Sequence, residues 1–170
     1  MKKTLSFLLA ALFISVSAMA QNTEKARTIP SASVKNLKGE TVNTASISND
    51  GKPVIIDFWA TWCKPCIEEL NNISEVYEQW QKETGVKIVA VSIDDSRTAQ
   101  RVGPFVNGRK WTFDFLLDPN SDFKRLMNVN MPPHTFLVNG KGEIVWQHVG
   151  YVDGNEEELY EELKKLIAAK

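Results

Sequence analysis

The chain has 170 residues, of which 43% are hydrophobic and 24% are charged, and its formal net charge is −1. This length suits a single domain that buries most of its unfolded surface. The small net charge, with no basic patch in the sequence, argues against a nucleic-acid partner. Two cysteines are too few for a structural zinc site built from cysteines, and no cofactor is predicted.

The first twenty residues are predicted to be a secretory signal peptide. A basic start at Met1–Lys3 precedes an apolar run over 5–16, and Ala18-Met19-Ala20 has the small-x-small form of a cleavage site. The apolar run is shorter than the about 20 residues of a membrane span, although an uncleaved anchor is the alternative. We expect cleavage after Ala20, a periplasmic location and no stable membrane insertion. Cleavage would remove two lysines and no acid, which takes the net charge from −1 to −3.

A linker over 21–30 is predicted to precede one domain over 31–170. The segments 33–37 and 41–42 flank a turn and predict a small hairpin. The next strand is Val54–Trp59, and its continuous apolarity is typical of a central strand covered on both faces.

A long helix is predicted from about Lys64 to Thr84, with Gly85 as its stop. Its apolar residues recur with the helical period; they are Cys66, Leu70, Ile73, Tyr77 and Trp80. A strand over 86–91 follows, so that strand, helix and strand form a right-handed parallel βαβ unit.

The rest of the chain continues to alternate, which predicts an α/β protein. The predicted elements are a helix over 96–111 with an uncertain end near Gly103-Pro104, a strand over 112–117, a helix over 122–127, strands over 134–139 and 143–149, and a helix over 155–169. The two late strands form a hairpin because Gly140-Lys141-Gly142 turns the chain between them.

Cys63-Lys64-Pro65-Cys66 contains both cysteines of the chain and lies between the central strand and the long helix. Two thiols one helical turn apart can form a disulfide and reopen it without moving the fold. Exported cysteines often form permanent cross-links, but closing so short a loop removes little chain entropy. The sequence therefore favours a working redox pair over an inert disulfide or half of a metal site.

The position of Cys63 predicts its role. At about the N-cap of the helix, unpaired backbone N–H groups and the helix dipole stabilise a thiolate, which is the nucleophile of thiol–disulfide exchange. Cys66 lies one turn further on and is expected to be more buried. We therefore expect Cys63 to attack a target disulfide and Cys66 to resolve the mixed disulfide.

Two acids are candidates for handling the proton of Cys66. Asp57 lies within the apolar strand, where burial and a nearby thiolate would raise its pKa, so it could accept and return that proton. Alternatively, Asp57 is a strand-end aspartate bonded to backbone or water. Glu69 lies three residues after Cys66 on the same helix face and could tune the dithiol, or it is simply an acid favoured near a helix start.

Three further residues are candidates for substrate binding. Trp62 is expected to flank the Cys63 sulfur and form apolar docking surface, and Pro133 precedes a strand whose main chain could pair with an extended substrate. His134 could face the rim of the site and donate a proton; alternatively, it is only a polar residue at the start of a strand.

The segment Asp57–Cys66, DFWATWCKPC, resembles the active-site segment of thioredoxins, and Pro133 followed by Thr135-Phe136-Leu137 resembles their cis-proline strand. The chain also resembles the exported TlpA/ResA-type thioredoxins in several features, which are Gly39, Gly51-Lys52-Pro53, Ala60-Thr61-Trp62, Glu69 and the signal peptide. The resemblance covers about residues 31 to 168.

The resemblance implies a thioredoxin-like fold: a three-layer α/β/α sandwich with a mixed central sheet, an N-terminal β-hairpin extension and an inserted helix and strand. It also implies the attacking and resolving roles of Cys63 and Cys66 and a cis bond before Pro133. Asp57 matches the buried aspartate of thioredoxin and Glu69 a glutamate of the ResA-type branch, so this chain mixes two patterns.

The chain departs from the family pattern at two other positions. Asn71 stands where a helix-kinking proline is common, so the helix is expected to be straighter. Pro132 replaces an aliphatic residue before the cis-proline.

These observations predict a periplasmic protein-disulfide oxidoreductase that functions as a monomer. The resemblance implies that it reduces disulfide-bearing exported proteins with electrons from a membrane electron-donor protein, cytochrome c maturation being one such role. Lys64-Pro65 does not fix the redox potential and leaves the direction open. One alternative is a thiol peroxidase on the same fold, which would not require Cys66.

Two alternatives come from other classes of protein. In a copper(I)-binding chaperone module, Cys63, Cys66 and His134 would supply soft ligands. In a pure binding or scaffold protein, a Cys63→Ala substitution would leave function intact.

Overall fold

A computed structural model describes residues 26–169, so the predicted signal peptide over 1–20 lies outside the described residues. Strands and helices alternate along the described part, as the sequence predicts. In chain order they are β1 (Ser33–Asn36), β2 (Thr41–Asn43), β3 (Val54–Trp59), α1 (Lys64–Thr84), β4 (Lys87–Ser92), α2 (Val102–Asn107), β5 (Asp114–Leu117), α3 (Asp122–Leu126), β6 (His134–Val138), β7 (Ile144–Val149) and α4 (Asn155–Ala168).

The strands form one mixed sheet in the order β2-β1-β5-β4-β3-β6-β7. β3, β4 and β5 are parallel neighbours, as expected for a βαβ unit, whereas β6 and β7 add in antiparallel fashion on one side and β1 and β2 on the other. Every residue of β3 is buried. The prediction of a central strand covered on both faces is therefore confirmed.

Helices cover the two faces of the sheet and complete three layers. On one face α1 packs against α4, and the predicted apolar stripe of α1 is buried. On the other face Phe58 of β3 contacts Phe123 of α3, with ring centroids 5.2 Å apart. The thioredoxin-like α/β/α fold with its N-terminal hairpin is confirmed.

The bounds of α1 are those that the sequence predicts, and each end has a physical reason. Pro65 lies in the first turn, where a missing N–H removes no helical hydrogen bond. Gly85 ends the helix in the left-handed conformation, with φ of 68°, and donates its N–H to the carbonyl of Gln81. α1 continues without interruption through Asn71, where the family pattern often has proline.

The predicted helix over 96–111 is wrong in its bounds. The structure has a 3₁₀ turn over Ala99–Arg101 followed by α2, which continues through Gly103-Pro104 and ends at Asn107. Pro104 is tolerated because it lies in the first turn of α2, where backbone N–H groups have no intrahelical partner. Trp111 comes after the helix and packs edge-on against Trp59, with centroids 5.4 Å apart.

Residues 26–30, the described part of the predicted linker over 21–30, are packed against the domain. Thr28 forms an isolated β-bridge with Glu143, and the carbonyl of Arg27 accepts the N–H of Ile144 at 2.8 Å. Backbone pairing with the domain thus begins before residue 31, and the division into linker and domain stays a prediction. Within 26–169 no helix is long and apolar enough to cross a membrane.

Candidate active site

The two cysteines lie where β3 passes into α1. The N–H of Cys63 donates to the carbonyl of Ala60 at 3.1 Å, which turns the chain sharply after the strand. Cys63 has an extended conformation (φ −92°, ψ 98°) and is the N-cap of α1. The predicted position of the first cysteine is confirmed.

Cys63 and Cys66 form a disulfide in this structure, with an S–S distance of 2.01 Å and Cα atoms 5.3 Å apart. Sγ of Cys63 also accepts the backbone N–H of Cys66 at 3.3 Å. Cys63 is 6% exposed and Cys66 is fully buried. The first sulfur is therefore the one that a partner can reach, and the helix N-terminus favours negative charge on it.

Asp57 of β3 and Glu69 of α1 come together between the sheet and the helix. Both side chains are buried, and the hydroxyl of Thr135 lies between them, 3.4 Å from Oδ1 of Asp57 and 2.9 Å from Oε1 of Glu69. Among the described residues, the second oxygen of each carboxyl group finds no hydrogen-bond partner. The structure therefore joins the two predicted acids through a third side chain.

The surroundings of this pair favour the protonated form. Burial raises the pKa of Asp57 to about 7, and the bond from Thr135 only partly offsets that rise. Burial also raises the pKa of Glu69 well above its ordinary value, and the nearby charge of Asp57 adds to the effect. The pair can therefore hold or release a proton near neutral pH.

An exposed surface lies beside the cysteines. Trp62, directly before Cys63, is 62% exposed, and Met131 is 60% exposed. The Pro132-Pro133 peptide bond is cis, as the family resemblance implied. The carbonyl of Pro133 already accepts the N–H of Gly150 at 2.8 Å. Docking of a substrate on Trp62 and Pro133 stays a prediction.

His134 lies on the face of the sheet opposite the two acids. Its neighbour Thr135 points towards α1, whereas the imidazole of His134 stacks on Phe136 with centroids 4.2 Å apart. Burial lowers the pKa of His134, and only 6% of the residue is exposed. This position fits a polar residue at the start of a strand, and a role at the rim stays a prediction.

A copper site finds no support in this arrangement. Within residues 26–169, no three side chains among histidine, cysteine, aspartate and glutamate are grouped so that they could hold a metal ion.

Asp94 is a site residue that the sequence analysis missed. It is fully buried, and its carboxylate accepts the N–H of Thr61 at 2.8 Å, the hydroxyl of Thr61 at 2.6 Å and the hydroxyl of Ser92 at 2.8 Å. Asp94 thereby fixes the turn that leads into Cys63. It follows β4, and the carboxyl ends of parallel strands meet at one edge of a sheet, so its place after a buried strand was the available signal.

Thr135 was also missed as a site residue. It pairs with Asp57 across the β3–β6 register, and no local pattern in the sequence reveals a contact over that separation.

Residues 26–147 match the AhpC/TSA family. The chain belongs to the AhpC/TSA family. This AhpC/TSA protein is 32% identical over 149 residues to the sporulation thiol-disulfide oxidoreductase A of Bacillus subtilis. The aligned residues cover 86% of this chain and 88% of that protein. It is 33% identical over 137 residues to the thiol-disulfide oxidoreductase ResA of Bacillus thuringiensis, covering 81% of this chain and 75% of the relative.

Solved structures support the same assignment. A thioredoxin-like protein from Porphyromonas gingivalis superposes with a TM-score of 0.75 at 50% identity, covering 82% of this chain and 92% of that one. StoA from Bacillus subtilis superposes with a TM-score of 0.61 at 28% identity, covering 78% of this chain and 97% of that one. The AhpC/TSA protein is a thioredoxin-like thiol-disulfide oxidoreductase, as the sequence predicts.

Proposed function

We propose that this thiol-disulfide oxidoreductase acts in the periplasm and reduces disulfides in exported proteins, cytochrome c maturation being one such task. The observation that carries the proposal is the asymmetry of the two sulfurs: Cys63 caps the helix and reaches the surface, whereas Cys66 is fully buried behind it. Such a pair suits one attacking and one resolving thiol.

The reaction begins with the reduced enzyme. The Cys63 thiolate attacks one sulfur of the client disulfide, the client S–S bond breaks, and the second client sulfur leaves as a thiolate. Cys66 then loses its proton and attacks Sγ of Cys63, which releases the first client sulfur and forms the Cys63–Cys66 disulfide. Two electrons pass from enzyme to client; one client thiolate takes the proton of Cys66, and the other takes its proton from solvent.

The buried acids supply the proton chemistry of the second step. Glu69 lies three residues after Cys66, one turn along the same buried face of α1, and Asp57 is joined to it through Thr135. One of these carboxylates accepts the proton of Cys66 and returns it to a leaving thiolate. Because the chain contains no further thiol, an external reductant must restore the dithiol, and we assign this role to a membrane electron-donor protein. The enzyme acts as a monomer.

The proposal is tested by trapping the client. The full chain carrying Cys66→Ser is expressed in a periplasm-containing bacterium, and proteins linked to it are separated before and after dithiothreitol. We expect dithiothreitol-sensitive adducts with exported proteins, and none from a Cys63→Ser/Cys66→Ser double variant. Absence of any protein adduct, together with peroxide reduction by Cys66→Ser, would favour a thiol peroxidase instead.

The direction of electron flow and the cellular location of the protein are tested by two separate measurements. A redox titration of the wild-type pair is expected to place its potential nearer the about −270 mV of thioredoxin than the about −120 mV of the oxidant DsbA. N-terminal sequencing of the exported protein is expected to show cleavage after Ala20. A strongly oxidising potential would reverse the proposed electron flow.

A further inference from the structure

We propose that Asp57, Thr135 and Glu69 form one proton-holding unit, in which the two carboxyl groups of the disulfide form share a single proton across the Thr135 hydroxyl. Thr135 is the positioning residue of this unit. The unit deepens the proposed function, and its part in thiol exchange rests on that function.

The hydrogen count at Thr135 supports a single shared proton. A hydroxyl has one hydrogen to donate and also accepts, yet Oγ1 of Thr135 lies within reach of both Asp57 and Glu69. If both carboxyls were ionised, only one could receive that hydrogen, and the other would be a buried charge without a donor. If both were protonated, the two acid hydrogens and the hydrogen of Thr135 would have only the two contacts at Thr135 to fill, so one buried hydrogen would have no acceptor.

With one proton, both contacts at Thr135 carry one hydrogen each. A protonated Asp57 can donate to Thr135 while Thr135 donates to Glu69, and the chain of bonds can equally run the other way. Buried polar groups without partners destabilise a fold, so this protonation state is preferred. The proton belongs to the pair rather than to either carboxyl.

The charges around the unit also favour retention of a proton. Asp57 lies on β3 and Glu69 on α1, and α4 contributes the negative charge of Glu156, which raises the pKa of Glu69 further. The hydroxyl of Tyr151 donates to Glu156 at 2.6 Å. Among residues 26–169, no lysine or arginine forms an ion pair with Asp57 or Glu69. Two adjacent buried carboxylates without a cation repel each other, so at least one stays neutral.

Because the unit holds one proton, one of its two carboxyl groups is ionised and can accept a second proton. When Cys66 is deprotonated, its proton passes to the remaining carboxylate, and the unit changes from one proton to two. The second proton then leaves to a client thiolate, and the unit returns to one. Thr135 allows either acid to receive the proton, which explains how this chain uses two acids where related patterns have one.

The proton count can be measured without any client. Infrared difference spectra of the disulfide form are recorded between pH 4 and 10 on wild type, Asp57→Asn and Glu69→Gln. We expect one buried neutral carboxyl in the wild type at about pH 8, above the pKa of about 7 that burial gives Asp57, and its band is lost in the Asp57→Asn/Glu69→Gln double variant. Two neutral or two ionised carboxyls at that pH would overturn the proposal.

Thr135 variants separate a positioning role from a structural one. Thr135→Val removes the donor that stabilises the ionised form, so the last proton is expected to leave at a pH higher by about one unit or more. Thr135→Ser restores the hydroxyl and is expected to restore the wild-type midpoint. Thr44→Val removes another buried hydroxyl, in the 3₁₀ turn that follows the N-terminal hairpin, and is expected to leave the midpoint unchanged.

Exchange kinetics complete the test. The pH profile for resolution of a mixed disulfide is expected to shift with the midpoint in Thr135→Val and to return in Thr135→Ser. A Thr135→Val protein that folds with an unchanged titration would overturn the proposal. A normal titration in a protein that reduces no client would instead overturn the proposed function and leave the proton-holding unit intact.

Discussion

The backbone N–H of Cys66 donates to Sγ of Cys63, 3.3 Å away, so the first cysteine caps the helix that buries the second. An N-cap acceptor satisfies one of the unpaired donors of a helix end. After reduction, the same donor and the helix dipole are available to a thiolate at Cys63. Cys66 is fully buried and has no comparable access to solvent.

We therefore predict that iodoacetamide modifies Cys63 of the reduced enzyme before Cys66. At pH 7 the rate at Cys63 is expected to exceed that of free cysteine about tenfold, since a helix N-terminus increases the thiolate fraction. Peptide mass spectrometry after timed quenching measures both sites. The Cys66→Ser variant shows whether Cys63 alone retains this rate, and equal slow labelling of both cysteines would contradict the prediction.

The elevated pKa of Asp57 predicts that the enzyme becomes less stable as the pH rises. Its pKa is about 7 in the folded protein and about 3.8 as an isolated group. Between these values the unfolded chain has released a proton that the folded protein keeps, so the free energy of unfolding falls with rising pH. The slope is up to about 1.4 kcal/mol per pH unit for one proton.

Urea unfolding of the disulfide form between pH 4 and 8 measures this slope. Asp57→Asn is expected to flatten the slope and to be more stable than wild type at pH 8. Glu75→Gln changes an exposed acid on α1; it is the control and is expected to keep the wild-type slope. A wild-type stability that rises from pH 4 to 7 would show that the buried acid is not held neutral.

The chain shows clearly which features a sequence can reveal. The bounds of α1 were predictable because strong helical periodicity, Pro65 in the first turn and Gly85 at the end are all local signals. The end of α2 was not, because Gly103-Pro104 resembles a helix break and is tolerated only through its position in the first turn.

Some residues of the candidate site could likewise be predicted from the sequence, and others could not. Cys63 and Cys66 were predictable from their spacing at a strand–helix junction. The contact of Thr135 with Glu69 depends on the β3–β6 register and on how α1 lies over the sheet. Pairing over 66 residues leaves no local pattern, so the third member of the acid network emerges only from the fold.

Asn71 is predicted to stabilise the packing of the inserted segment against α1. Its side-chain carbonyl accepts the indole N–H of Trp111 at 3.0 Å, and Trp111 is only 7% exposed. Asn71→Ala would leave this donor without a partner, with a loss of about 1–3 kcal/mol in the free energy of unfolding.

Asn72 provides the matched control for Asn71 in equilibrium urea unfolding. Its amide donates to the exposed Asp153 and to the hydroxyl of Tyr151, which keeps its bond to Glu156. Asn72→Ala therefore leaves no donor without a partner and is expected to lose less stability. The intrinsic fluorescence of Trp111 and its neighbours should change in Asn71→Ala alone. Equal losses of unfolding free energy in the two variants would show that the hydrogen bond from Trp111 stabilises the fold no more than the bonds of Asn72 do.

Asp94 is predicted to control the reactivity of Cys63 through the turn that precedes it. Its carboxylate accepts three hydrogen bonds, two from Thr61 and one from Ser92. Asp94→Ala removes all three and leaves buried donors unpaired, with an expected loss of about 3 kcal/mol of stability. Because the turn loosens, Cys63 is also expected to lose part of its alkylation rate at pH 7.

Asp95 is the neighbouring control, since its side chain is about half-exposed and bonds locally to Arg97 and Thr98. Asp95→Ala is expected to lower stability by less than Asp94→Ala and to leave the alkylation rate of Cys63 unchanged. Thermal unfolding and timed alkylation on the same samples separate the two effects. If Asp94→Ala unfolds earlier but Cys63 reacts as in wild type, Asp94 supports the fold without positioning the nucleophile.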